Sequence, residues 1–373
     1  MTGLTIRVSP DRMAHGGRAI ARHNGQAVFV SGAIPGDTVE ALVVKRGKRH
    51  LEAIVNSVVE PSPDRVSSPC IYFGSCGGCQ WQYADYQAQL AWKQEIVIGQ
   101  LRHLARLDTE VRATATVGPA YGYRNRLDLH VSDGRVGLFR EGTHDLVPIQ
   151  SCLVVSPPLV EMLGELGDLS AAERVTLRAG IRTGDRLVLL GDDFGRLHEE
   201  VAGRRFRISG RSFFQNNTEG AEALVAIVRE ILQPAEGELL LDVYAGGGLF
   251  SATVGEGHEV VAVESDPLAV TDLRVNSEAE VVAERFERAT SLPPHWDIAV
   301  VDPPRTGLGH QAVEILAGGS PRAIAYVSCD PASFARDAGL LAGAGYRLQW
   351  VQPIDLFPQT FHIELVGMFL PAR

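Results

Sequence analysis

Residues 239–251 read LLLDVYAGGGLFS. An apolar run closes on Asp242 and Val243, and three glycines, Gly246, Gly247 and Gly248, follow within five positions. A short apolar run bounded by turn residues is a buried strand. Glycine takes up positive φ freely and lets a backbone approach a ligand closely. The stretch therefore reads as strand, tight turn and helix start, the opening unit of a doubly wound α/β sheet. Similar apolar strands recur downstream in HEVVAVES (258–265), WDIAVVDPPR (296–305) and RAIAYVSC (322–329), with helical spacers between them. YRLQWVQPIDLF and HIELVGMFL form a last pair. Upstream, TEGAEALVAIVREIL is a helix capped near Thr218. Residues 209–373 are thus expected to form one α/β domain.

Glu264 ends the next strand, where an acid can accept hydrogen bonds from ribose hydroxyls. The third glycine of the dinucleotide fingerprint is missing, because Ser251 stands in its place. That disfavours a pyrophosphate ligand and favours a nucleoside without phosphates, such as S-adenosylmethionine; a turn with no ligand is the plain alternative. Ligands of parallel sheets bind beyond the carboxyl ends of the strands. Asp302, which ends the strand before two prolines, and Cys329, which ends the one after it, face the same crevice. A cysteine there is a candidate nucleophile, although most lone cysteines are inert and buried. Glu364 lies in an otherwise apolar strand, where a carboxylate needs a partner or a task unless the strand is an edge facing water.

Residues 5–60 read as short strands broken at Pro35-Gly36-Asp37 and Arg46-Gly47-Lys48, the pattern of a small barrel. The loop KRGKRH (45–50) suits phosphate contact or a solvated hairpin tip. A Pro/Ser linker, PSPDRVSSPC (61–70), marks a boundary. A helix capped by Asp85 is expected to run to about Leu107, with Tyr86, Leu90, Val97, Leu101 and Leu104 on one apolar face. From Val111 to about Phe206 the pattern is strand-rich. The expected domains are 1–62, 63–208 and 209–373, with the helix near 85–107 able to pack on the last.

The net charge of −10 argues against charge-driven nucleic-acid binding by the whole chain. Residues 1–66 hold nine Lys and Arg against six Asp and Glu, a local +3 that leaves −13 to the rest. A basic module on an acidic body suits a local grip on a polyanion. No apolar run nears the roughly 18 residues that span a membrane, and MTGLTIRVSP lacks the plan of a secretory signal. A cytoplasmic, monomeric protein is expected, so clustered cysteines lean towards metal or catalysis rather than disulfides. Cys70, Cys76, Cys79 and Cys152 can make a four-thiolate set for zinc or for a 4Fe-4S cluster, and spacing does not choose between them.

Taken together, the motifs resemble the RNA 5-methyluridine methyltransferases over nearly the whole chain. HGGRAIARHNGQAVFVSGAIPGDTV (15–39) is similar to their N-terminal TRAM module, an OB-like RNA-binding barrel. CIYFGSCGGCQWQY (70–83) with Cys152 is similar to their iron–sulfur ligand set, and GYRNRLDL (122–129) to the motif opening their central domain. The resemblance implies a class I, Rossmann-like methyltransferase domain behind a TRAM barrel and a β-rich iron–sulfur domain. It implies a 4Fe-4S cluster on Cys70, Cys76, Cys79 and Cys152. It also implies S-adenosylmethionine contacts from Gln215 of SFFQNN, Tyr244, Glu264 and Asp302, with Cys329 as nucleophile and Glu364 as general base. The implied reaction methylates C5 of a uridine in 23S ribosomal RNA or in transfer RNA. Two positions depart from the pattern: Leu249 replaces an asparagine in the glycine turn, and SCDP, with Asp330, replaces SCNP.

Rival readings explain less. A 5-methylcytidine enzyme uses two active-site cysteines, and only Cys329 lies in this half. An N-methyltransferase needs no thiol, and Arg305 stands where its aromatic would stack. A radical S-adenosylmethionine enzyme has a different cysteine spacing. A non-catalytic RNA-binding protein with a metal knuckle leaves Cys329 and Glu364 unexplained.

Overall fold

The computed structural model describes residues 3–167, 169 and 172–372. Six strands come first: β1 (Thr5–Val8), β2 (Arg12–Met13), β3 (Ala19–His23), β4 (Gln26–Ser31), β5 (Thr38–Arg46) and β6 (His50–Glu60). They form one sheet in the order β1-β5-β6-β4-β3-β2, with β4 and β6 parallel. Alternate residues such as Val28, Val30, Val39, Ala41, Leu51 and Ala53 turn inward. Asp37 caps the turn expected at 35–37. Its carboxylate accepts the Ile34 and Ser62 N–H groups and the Arg65 guanidinium, so the Pro/Ser linker is pinned to the barrel.

Helix α1 (Tyr86–Gln100) starts at the expected cap, where Asp85 accepts the Gln87 N–H. It does not run regularly to Leu107. Residues Leu101–Ala105 widen into a π-turn that ends at Arg106 in the left-handed region (φ 56°). The wider turn keeps Leu101 buried, lays Ala105 against Gly339 and leaves Leu104 exposed. The buried face also carries two polar side chains, Gln89 and Lys93. Strands β7 (Glu110–Val111) and β8 (Ala115–Thr116) follow. Although they fall inside the expected central segment 63–208, both pair with the C-terminal sheet, and Arg112 stacks 3.6 Å over Trp350.

The middle of the chain supplies β9 (Arg126–Ser132), β10 (Arg135–Phe139), β11 (Leu146–Pro148), α2 (Pro157–Gly164), β12 (Arg174–Ala179) and β13 (Arg186–Leu190). These make an antiparallel sheet in the order β11-β10-β9-β12-β13 over its own core of Leu127, Leu129, Leu159, Met162, Val175 and Leu177. A separate hairpin, β14 (Arg196–Val201) and β15 (Arg204–Ser209), is clasped to the last unit by Asp272, which accepts from Arg207 and the Ser209 N–H.

The last unit contains α3 (Thr218–Leu232), β16 (Leu239–Val243), α4 (Leu249–Thr253), β17 (Glu259–Val263), α5 (Pro267–Asn276), β18 (Glu280–Val282), β19 (Ile298–Val301), α6 (Gly309–Gly318), β20 (Ala323–Ser328), α7 (Pro331–Gly343), β21 (Tyr346–Asp355) and β22 (Glu364–Pro371). Its sheet runs β18-β17-β16-β19-β20-β22-β21-β7, with β8 also on β21. Strands β16 to β20 are parallel and β22 is antiparallel to both neighbours. Asn217, one residue before the expected Thr218, caps α3 by accepting the Gly220 N–H at 3.0 Å. The strands alternate between two cores. Leu240, Ile298, Val300 and Ala325 pack under α3, while Leu241, Val243, Val301 and Tyr326 join a core continuous with the barrel interior through Trp81 and Trp92. Among the described residues no helix is long and apolar enough to cross a membrane.

A buried ion pair ties α1 to this sheet. Lys93 Nζ donates to Asp355 Oδ1 at 2.6 Å, and both side chains are fully buried. Nζ also reaches the Phe357 carbonyl and lies over the Trp81 ring. Burial pulls the ammonium pKa down while the Asp355 charge pulls it back up. Removing one member of such a pair leaves a stranded charge. Lys93→Met should therefore cost about 3–5 kcal/mol in denaturant unfolding, whereas Lys93→Met with Asp355→Leu should recover most of it; a single variant of unchanged stability would refute the clamp.

Candidate active site

The turn after β16 is built around two carboxylates. Asp242 is fully buried, and its Oδ2 accepts both the Ser251 N–H (2.9 Å) and the Ser251 hydroxyl (2.6 Å), fixing the start of α4. Its Oδ1 has no hydrogen-bond partner among the described residues. Burial pushes this carboxyl up to about 6. Glu264, just past β17, accepts the Gly246 N–H on one oxygen (2.9 Å) and the Ser265 and Asp266 N–H groups on the other. It braces the glycine turn, and a carboxylate oxygen with two lone pairs still has room for a ligand hydroxyl. Tyr244 and Gly248 are left-handed (φ 61° and 88°). A Cβ on Gly248 would stand 2.7 Å from the Leu273 side chain, so only glycine fits. Tyr244 donates its hydroxyl to Glu287 at 2.6 Å. Glu287 sits on the single helical turn Phe286–Arg288, and no sequence signal pointed to it.

The strand order places a switch point beside β16, because β17 lies on one side of it and β19 on the other. A cavity of about 960 Å³ opens there. Gln215, Tyr244, Glu264, Asp302, Cys329 and Glu364 all line it, so every cofactor-contact and catalytic candidate from the sequence converges on one space. Gln215 arrives on the loop before α3, held where Asn125 donates to its carbonyl. Asp302 follows β19, Cys329 follows β20, and Glu364 opens β22 with 4% exposure. Arg124, Arg305 and His362 share the wall. Arg124 belongs to the GYRNRLDL stretch, where sequence gave no hint that it reaches this cavity.

The electrostatics follow from crowding. Burial and then the Asp242 charge raise Asp302 to about 7. Burial and then Asp302 raise Glu364 well above the usual carboxylate range, against the pull of Arg305. Burial, Glu364 and Asp302 push the Cys329 thiol up to about 12. Burial and Arg305 hold His362 down near 4. The cavity thus has more anionic groups than it can ionise at once, and a cation entering it would lower all of them.

The remaining four cysteines lie elsewhere. Cys70, Cys76, Cys79 and Cys152 are free, half-buried and together line a second, small cavity with Tyr72, Leu138 and Ile149. Gly78 N–H donates to Cys76 Sγ at 3.3 Å, and the Tyr72 hydroxyl accepts the Gln150 N–H, drawing the Cys152 loop in. Burial raises the thiols of Cys76, Cys79 and Cys152, and neighbouring thiols add to the effect. Among the described residues, no group of three or more His, Cys, Asp or Glu side chains stands in position to hold a metal ion. The expected ligand set is nonetheless brought to one cavity wall. Gly78 and Arg124 line both cavities.

The acids generate a pH prediction. Asp242 and Asp302 have folded values raised from 3.8 to about 6 and about 7. The folded protein keeps protons that the unfolded chain releases, so this contribution is full below about pH 4 and is lost as pH rises to about 7. Asp302→Asn should raise stability at pH 8 by on the order of 1–3 kcal/mol and have little effect near pH 4. Unfolding temperatures of both proteins across that range check it; equal shifts at both ends would refute it.

Comparison with known proteins agrees with this architecture. Residues 1–55 match the TRAM domain family. An uncharacterized RNA methyltransferase of Streptomyces avermitilis is 35% identical over 98% of this chain and 98% of its own length. A second, from Streptomyces coelicolor, is 34% identical over 100% and 94%. Among solved structures, the Pyrococcus abyssi tRNA (uracil-54, C5)-methyltransferase in complex with S-adenosyl-L-homocysteine superposes with a TM-score of 0.77 at 26% identity, over 98% of this chain and 100% of that one. With its TRAM barrel at the N-terminal end and a switch-point cavity in its doubly wound sheet, the chain belongs to the RNA methyltransferases.

Proposed function

We propose that the protein transfers a methyl group from S-adenosylmethionine to C5 of a uridine in RNA, through a covalent bond between Cys329 and C6 of the uracil. One observation carries the reading: a thiol, Cys329, and a carboxyl side chain buried in an apolar strand, Glu364, line the same cavity as the glycine turn. The crowding of Asp242, Asp302 and Glu364 supports a cationic ligand, and a sulfonium is one. The likeness to the Pyrococcus abyssi enzyme supports the same base and cofactor.

Uracil C5 is a poor nucleophile, and its hydrogen is hardly acidic. When bound, the cofactor supplies an electrophilic methyl group. Gln215, Tyr244, Glu264 and Asp302 would hold it at the switch point. Positive charge beside Asp302 would lower the raised carboxyls, so Glu364 ionises and the Cys329 thiol gives up its proton to solvent. Cys329 Sγ adds to C6, and the electron pair of the C5–C6 double bond moves to C5. That carbon forms its new bond to the methyl carbon, whose old bond to sulfur breaks. Glu364 then takes the C5 proton, the double bond re-forms, and the thiolate leaves. The base must leave its stack to reach the cavity, so a loop or flipped uridine in 23S ribosomal or transfer RNA is the expected target.

Cys329→Ala should abolish methyl transfer while cofactor binding stays intact. Glu364→Gln should accumulate the covalent RNA adduct, visible as a gel-stable band. Labelled cofactor with unmodified transfer and ribosomal RNA identifies the substrate, and normal turnover by Glu364→Gln would remove the base assignment.

We also propose that Cys70, Cys76, Cys79 and Cys152 hold a 4Fe-4S cluster that fastens the 70–79 loop to the middle sheet. Four free thiols on one cavity wall, with a backbone N–H already donating to Cys76, support it. Anaerobically purified protein should be brown and contain about four iron atoms per chain, and Cys76→Ser should lower that content. A colourless, zinc-containing preparation would refute the assignment.

A further inference from the structure

The turn carrying Cys329 is held from two sides. Asp330 caps α7 by accepting the Ser333 N–H at 2.7 Å on Oδ1. Its other oxygen, Oδ2, lies 3.1 Å from Nε2 of His15, which belongs to the barrel turn between β2 and β3. On the other flank, the Ser328 hydroxyl meets the Asp330 backbone. The nucleophile's neighbour is therefore fixed partly by a residue more than 300 positions away in sequence.

The barrel turn is itself rigidly seated. The Ala14 and Gly17 N–H groups close it on the Arg18 and Ala14 carbonyls. Gly17 is left-handed, and a Cβ there would stand 2.8 Å from the Phe361 ring, so the turn lies flat on the segment leading to Glu364. The Gly17 carbonyl accepts the buried Trp81 indole N–H at 3.1 Å, and Arg18 pairs with Glu52 of β6. Such a seat suits a fixed contact better than a free surface histidine.

We infer that His15 is a positioning residue for the nucleophile: by holding Asp330, the barrel completes the turn that presents the Cys329 thiol to the cavity. The charged groups acting on Cys329 are Glu364 from β22, Asp302 and Arg305 from the loop after β19, and Asp330 on its own turn. His15 is the barrel's contact with this turn, 3.1 Å from Asp330. His15 and the helix cap hold the Asp330 carboxyl near 2, so Asp330 is an anion next to the thiol. Without His15 the second oxygen of that anion loses its hydrogen-bond partner and is unheld beside Cys329. The SCDP turn gives His15 a carboxylate partner in this chain.

The role of the thiol rests on the uracil reading above, but the test does not. In the full-length protein, alkylation of Cys329 by iodoacetamide is followed by peptide mass spectrometry across alkaline pH. His15→Ala should slow it by about ten-fold at a given pH and shift its profile upward. His15→Ala with Asp330→Asn should return most of the rate, because asparagine keeps the cap without the charge. In steady-state methyl transfer, His15→Ala should lower kcat by a similar factor and leave KM for RNA within about two-fold. An unchanged alkylation profile, or a raised KM with normal kcat, would overturn the inference and leave His15 as an RNA or packing contact. Should the wild type form no adduct with 5-fluorouridine RNA, the uracil reading would fall, and the alkylation profiles would still decide for or against His15.

Discussion

Like charges crowd the carboxyl edge of the parallel sheet, and the site depends on that crowding. Asp242 lies within β16, Asp302 follows β19, and Glu364 opens β22, so the strand order gathers three carboxyl groups at this edge, Asp302 and Glu364 on the cavity wall. They cannot all be ionised in a poorly solvated space. Arg305 offsets part of the repulsion on Glu364 and Cys329 but does not abolish it. Positive charge placed among the carboxyls would relieve that repulsion. Burial and the same carboxyls push the Cys329 thiol up to about 12.

The cavity is a property of the whole chain rather than of the α/β unit. One continuous core runs from the barrel through Trp81 and Trp92 to one face of the sheet. Where that core meets polar backbone, a few buried polar clamps do the joining: Lys93 with Asp355, Gln89 with Gln359, and Trp81 with Gly17. Buried polar groups are costly unless matched, so each clamp specifies one relative placement of the parts. That placement is what sets His15 against Asp330 and Gly17 against Phe361.

The five cysteines divide by the same logic. Cys329 follows a parallel strand at the switch-point cavity, among the charged groups there. The other four sit where the 70–79 loop crosses the middle sheet, and Gly77, whose N–H donates to the Phe139 carbonyl, has no room there for a side chain. Arg124 and Gly78 line both cavities.

Local pattern determined a great deal of this protein. Apolar runs closed by glycine or proline marked the parallel strands, and acids and a cysteine at strand ends marked the cavity, because a parallel sheet binds ligands at that edge. The barrel and the cap at Asp85 were legible for the same reason: their signals lie within a few residues of each other. Tertiary structure alone decided the rest. Strands β7 and β8 look like part of the middle unit, but Trp350 and Gln94 draw them to the C-terminal sheet. Lys93 looks like a solvated helix residue until Asp355, far along the chain, buries it. Arg124, Glu287 and His15 carry no motif of their own in this respect. Glu287 and His15 meet their partners Tyr244 and Asp330 only across distant segments, and pairing through space leaves no period in a sequence.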